Sequence, residues 1–234
     1  RMRSNMMLLM AAAIWGLGFV AQRLGMDHMG PFTFNGLRFL LGALSLLPLL
    51  WWLKSRQPRP QPGSPSGDRR LLLVGGLIAG GVLFSAASLQ QVGLLYTTAA
   101  KAGFITGLYI ILVPVIGLAL RHKTGANTWV GALIAMAGLY YLSVTEEFTI
   151  GYGDLLQVIG ALFWAIHLLV LDHYSNRVAP IRLAGVQFVV CGLLSLGTAF
   201  VIETPTLGGA MAGWQALLYA GLVSVGIGYT LQVV

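Results

Sequence analysis

The sequence predicts an all-α integral membrane protein, a polytopic bundle of about eight helices. Three observations carry this prediction. Only 9% of the 234 residues are charged and 57% are hydrophobic, where soluble domains average about 25% charged. Mean hydropathy is +0.81. Apolar runs long enough to cross a bilayer also follow one another along the chain. Glycine, at 31 positions, is about twice its usual share of roughly 7%, as suits helices whose backbones approach closely.

A hydrocarbon core of about 30 Å needs roughly 20 apolar residues per helix. Runs of that kind fall at about 6–25, 33–53, 71–94, 102–120, 127–144, 154–173, 181–202 and 213–234, with ends uncertain by a few residues. The first begins "RMRSNMMLLMAAA", which has the basic start and small-residue triplet of a signal peptide. Its apolar character continues to Val20, so it reads as an uncleaved span. Pro48 in the second run and Pro114 in the fourth each remove a backbone bond and are expected to kink their helices. The one long linker, "KSRQPRPQPGSPSGDRR" (54–70), is rich in Pro, Gly, Ser and Arg and reads as a solvated loop.

Basic residues set the expected orientation. With the N-terminus cytoplasmic, the inner segments hold 11 of the 14 Lys and Arg residues: Arg1, Arg3, Lys54, Arg56, Arg59, Arg69, Arg70, Arg121, Lys123, Arg177 and Arg182. The net charge of +7 is therefore a topology signal and not a nucleic-acid footprint. Cys191 is the only cysteine and offers neither a disulfide framework nor a metal cluster.

The chain also repeats itself. Trp15 and Pro31 are 16 positions apart, as are Trp164 and Pro180, and the same offset pairs Ala12 with Ala161, Gly36 with Gly185 and Phe39 with Phe188. Further on, "SLQQV" (88–92) is echoed by "TLQVV" (230–234). A first copy of five spans (1–145) forces the second (146–234) into the opposite orientation, an inverted repeat of the kind that builds secondary transporters. The second copy stops in its third helix, so the complete form is expected to have ten.

The segments "IWGLGFV", "GPFTFNGLRFLLGAL" and "LQQVGLLYTTAAKAGFITGLYIILVPVIGLAL", with the Trp-to-Pro echo, resemble the EamA-type family of the drug/metabolite transporter superfamily. The resemblance covers essentially the whole chain. It implies two inverted five-helix repeats, cytoplasmic termini in the cell's inner membrane, and a central cavity for small metabolites, amino acids or drugs. The expected partners are a small-molecule cargo and the lipid bilayer, with no nucleic acid and no cofactor; a homodimer is left open.

Polar groups at membrane depth normally face a cavity or a partner helix, which ranks the candidate cargo contacts. Trp15 and Trp164 lie mid-helix, away from the interfacial belts, and read either as cavity wall or as core packing. His167 shares a helical face with Trp164; it reads as a neighbour-bonded core histidine or as a cargo or proton site. Gln22 lies two turns beyond Trp15. Gln90 and Gln91 point about 100° apart, so only one can face a cavity squarely, and Gln90 is favoured because its repeat mate Gln232 is also Gln. Arg38 is placed near the outer side, snorkelling to headgroups or receiving a carboxylate; its repeat mate is Gln187. Lys101 is an outer anchor or a first contact for anionic cargo, and Tyr109 can turn its hydroxyl to the pathway. Gly76 with Gly80, and Gly103 with Gly107, have the GxxxG spacing of close helix packing.

No Asp or Glu lies at mid-depth in any span, so the sequence does not support carboxylate-based proton or sodium coupling. GxSxG, HExxH and CxxC patterns are absent, which weighs against a membrane enzyme. A non-transporting scaffold would not need Trp15, Trp164 and His167 to converge. The sequence thus points to a carrier, with an exporter-like direction expected.

Overall fold

The computed structural model describes residues 2–56, 69–119, 125–143, 151–229 and 231. Its helices are α1 (Met2–Gly25), α2 (Pro31–Arg56), α3 (Arg69–Gly93), α4 (Ala99–Gly107), α5 (Tyr109–Ala119), α6 (Ala126–Ser143), α7 (Tyr152–Ser175), α8 (Pro180–Ile202), α9 (Leu207–Ala212) and α10 (Trp214–Leu218), followed by a π-type helix, Tyr219–Gly228. No strand occurs among the described residues. The end of the bundle that holds the α1–α2 turn is called distal below, and the opposite end basal. Most of the basic linker 54–70, the 145/146 repeat boundary and Gln232 lie outside the described residues.

Five stretches are long and apolar enough to cross a bilayer: Pro31–Leu53, Arg69–Gly93, Ala99–Ala119, Tyr152–Ser175 and Pro180–Ile202. Three shorter apolar stretches, Leu9–Gly25, Ala126–Gly138 and Trp214–Gly228, fall on the remaining expected spans. The ends follow local chemistry. Pro31 and Pro180 open α2 and α8, where a missing N–H costs nothing. The Thr98 hydroxyl accepts from the Lys101 backbone N–H at 3.2 Å and caps α4. The α2 helix continues through Pro48, and the fourth span breaks at Leu108, directly after Gly107, while α5 runs unbroken through Pro114. Glycine's poor helix propensity locates the interruption better than the proline does.

The centre is built from α2, α3, α7 and α8. The α3 and α8 helices run parallel and close together: a Cβ added at Gly80 would lie 2.6 Å from Val190 Cβ and 3.0 Å from the Gln187 carbonyl oxygen. Gly76 meets Val186 in the same way, so this GxxxG is a packing seam. At the distal end α7 crosses α3 with backbones nearly touching, the Cβ position of Gly153 falling 2.7 Å from the Gly93 carbonyl oxygen. Phe39, Leu83, Phe188, Cys191, Val225 and Tyr229 are buried together where α2, α3 and α8 meet the π-type helix. Leu44, Leu47, Trp51, Leu133, Phe200 and Val201 point outward and are exposed, the pattern of a bundle whose solvent is lipid.

Two carboxylates fasten the distal end. Glu203, just past α8, accepts from the backbone N–H groups of Phe32 and Thr33, both at 2.8 Å, and from the Thr33 hydroxyl at 2.6 Å. It satisfies orphan donors of the α2 N-terminus, where the helix dipole favours an anion. Asp154 accepts from the Thr97 hydroxyl at 2.6 Å and from the Gly151 N–H at 3.0 Å, tying α7 to the turn before α4.

Candidate functional site

A cavity of about 610 Å³ lies between α1, α4–α5 and α7, with α2 and the π-type helix behind it. That is within the usual range for small-molecule sites, roughly 300–1,000 Å³. Trp15 is residue 14 of the 24 in α1 and Trp164 is residue 13 of the 24 in α7, so both indoles reach the wall midway along their helices. They meet through a third ring. Tyr229 lies 5.4 Å from Trp15 and 6.2 Å from Trp164, centroid to centroid, with Phe188 behind it at 5.4 Å.

Each indole N–H is satisfied by the wall itself. Trp15 Nε1 donates to the Ser224 carbonyl oxygen at 3.2 Å, a group in the π-type helix, whose wider winding rearranges the ordinary helical ladder. Trp164 Nε1 donates to Gln90 Oε1 at 2.7 Å, and Gln90 Nε2 donates to Gln22 Oε1 at 3.3 Å. The Gln90 backbone carbonyl accepts from Gln157 Nε2 at 2.9 Å, and Gln157 Oε1 accepts from the Thr106 hydroxyl at 3.3 Å. Gln90 therefore joins α1, α3 and α7, and through Gln157 reaches α4. A satisfied network of this kind holds a wall rigid.

Trp15, Gln22, Arg38, Gln90, Tyr109, Trp164 and His167 all line the cavity. Gln91 is fully buried and donates instead to the Gln22 carbonyl at 3.4 Å. Gln187 does not reach the cavity; its Oε1 lies 2.7 Å from His167 Nε2, so it orients the imidazole from behind. Lys101 also stands outside the lining. Its ammonium is turned toward Asp154 at 4.0 Å and its side chain is 23% exposed, while Ala99, Ala100 and Gly103 supply that wall. Arg38 has two readings, snorkelling to headgroups or receiving a carboxylate. It is 4% exposed, walled in by aromatic rings, and does not snorkel.

Gly103 and Gly107 differ from the α3 glycines in lining the cavity. A Cβ at Gly103 would meet only Phe19, at 3.9 Å. Site residues that escaped the sequence reading include Tyr229, Phe39, Gln157 and Thr106. One signal for Gln157 was present. It lies seven residues from Trp164 as Gln22 lies seven from Trp15, and because α1 and α7 run in opposite directions both glutamines come to the distal side. Tyr229 had no such signal, its repeat mate being Ala87.

The fold and cavity define a class, a multi-pass helical membrane protein with an aromatic and amide-lined chamber midway along its helices. The profile of the EamA-like transporter family matches residues 2–144 and 151–234, and the chain belongs to that family of membrane transporters. It is 33% identical over 209 residues to a protein named "Uncharacterized transporter" from Archaeoglobus fulgidus, covering 88% of this chain and 60% of that protein. The "Uncharacterized transporter YetK" of Bacillus subtilis is 28% identical, over 95% of this chain and 68% of its own length. The "Uncharacterized inner membrane transporter YedA" of Escherichia coli K12 is 24% identical, over 91% and 68%. The chain thus spans about 60% to 70% of these relatives. A crystal structure with 20% identity superimposes with a TM-score of 0.71 over 100% of this chain and 79% of that one, a shared fold.

Proposed function

We propose that the chain belongs to an inner-membrane secondary carrier, N-terminus cytoplasmic, that exports small amphipathic metabolites by alternating access between two inverted halves, 1–145 and 146–234. The observation that carries this reading is the chamber of about 610 Å³ with an indole from each half midway along its helix. A midplane site at the interface of inverted repeats is where such carriers hold cargo. The family match in two segments, 2–144 and 151–234, supports the division into halves. Trp15, Trp164 and Tyr229 grip the apolar part of the cargo, Gln22, Gln90 and Tyr109 fix its orientation, and His167 is held ready by Gln187.

The test is flux in proteoliposomes across a panel of amino acids, amines and aromatic acids. Saturable uptake is expected, and Trp15→Ala with Trp164→Ala should lower it more than they lower folded yield. Absence of saturable flux, with no cargo detectable by thermal shift, overturns the reading. Equal loss of flux and yield assigns the tryptophans to packing.

A further inference from the structure

We infer that the cavity is an anion chamber: its cargo is an organic monocarboxylate with an apolar or aromatic body, bound carboxylate to Arg38, in preference to a cation, a neutral analogue or a zwitterion. The identity of the cargo rests on the carrier reading, but the charge preference is a property of the cavity and shows in binding alone.

The inference starts from where the charges are. Arg38 lines the cavity and is 4% exposed. A guanidinium stays protonated in proteins and presents five N–H donors in a flat fork. Its central carbon lies 4.9 Å from the Phe39 ring centroid and 5.8 Å from that of Phe34. Two rings crowd the guanidinium, and its N–H groups are the part that can bind. Among the described residues those groups meet no carboxylate and no hydrogen-bond acceptor, and Nε is buried without a partner. An unpaired charge at membrane depth is costly, and removing the cost takes an acceptor with a negative charge. A carboxylate matches the fork in two parallel bonds.

The acids among the described residues do not fill that place, and the cavity lining among those residues contains no Asp or Glu. Glu203 is committed to the α2 N-terminus through Phe32 and Thr33, and Asp154 to Thr97, Gly151 and Lys101. An ammonium group entering the chamber would find only neutral acceptors such as amide and phenol oxygens while sharing the space with a fixed cation. Amines are therefore repelled, and an amino acid gains at its carboxylate what it loses at its ammonium. One fixed cation suits one negative charge; a dicarboxylate would carry its second into an apolar wall. The lining also carries the rings of Phe19, Phe104, Trp15, Trp164 and Tyr229, against which the body of the acid would lie.

Four probes with closely matched bodies separate the alternatives: 3-phenylpropionate, 3-phenylpropionamide, 3-phenylpropylamine and phenylalanine. Binding to the purified chain is followed by thermal shift and by quenching of tryptophan fluorescence, with flux of the same four measured in proteoliposomes. The expected order puts the acid about tenfold or more ahead of the amide, with the amine weakest, as one charge-assisted pair in a dry site would give. Arg38→Gln should bring the acid down to the amide, and Arg38→Lys should keep part of the preference. Should Arg38→Gln fail to fold, the wild-type series with Arg38→Lys decides alone. Amide or amine binding as tightly as the acid, a preference that survives in Arg38→Gln, or no binding by any of the four overturns the inference. Acid-selective binding without saturable flux sinks the carrier reading and leaves the chamber's charge preference standing; saturable flux that favours the amine does the reverse.

Discussion

Two pairs of glycines with the same spacing have opposite fates. Gly76 and Gly80 in α3 are filled from outside by Val186 and Val190 of α8, with the Gln187 carbonyl 3.0 Å from where a Gly80 Cβ would lie. Gly103 and Gly107 in α4 border the cavity, and Gly103 has only Phe19 at 3.9 Å. Spacing alone permits close approach; whether a neighbour takes the space depends on what the rest of the chain brings there. In α3 the space is structure, and in α4 it is room for something else. The hydrogen bonds follow the same division. Gln90 on α3 holds Gln22 and Trp164, whereas on α4's face of the chamber Ala99, Ala100, Gly103 and Phe104 are apolar and Thr106 turns its hydroxyl to Gln157. One wall is fixed by amides, and α4's wall is mostly apolar.

The largest effect that can break this comparison is Gly80→Val. The added side chain meets backbone as well as Val190, so α3 and α8 must part, and overpacking of this order costs about 1–3 kcal/mol or more. Folded yield in detergent should fall severalfold, and yield equal to wild type would mean that the seam is not tight. Glu203→Gln comes next. It keeps the shape of the clasp but removes the charge and one acceptor from the α2 N-terminus, for an expected loss of about 1–2 kcal/mol read as a lower unfolding temperature. An unchanged temperature would remove the distal clasp from the account. The smallest effect on stability belongs to Gly103→Leu, because the side chain enters open space.

The helices were legible because a bilayer allows few solutions. Runs of about 20 apolar residues must be helical to satisfy their backbones, and the eight runs fall on five helical stretches long and apolar enough to cross a bilayer and three shorter apolar ones. Trp15, Trp164 and the choice of Gln90 over Gln91 were legible from helix periodicity and the repeat. What the sequence did not show was surroundings. Arg38, counted from the start of its helix, read as an outer residue; its burial comes from Phe34, Phe39 and the π-type helix nearly 190 residues later. Asp154 and Glu203 each tie two elements together through partners distant in sequence. The π-type helix left no mark in the apolar pattern, and so Tyr229, at the centre of the aromatic cluster, was missed.

The central claim is that the chamber is the cargo's place and not a packing defect. Gly103→Leu tests it most directly, since it narrows the chamber at a point where the new side chain meets open space. Measured side by side, the account predicts an unfolding temperature at or above wild type with saturable flux and carboxylate binding sharply reduced. Flux and binding unchanged with the chamber narrowed would contradict it.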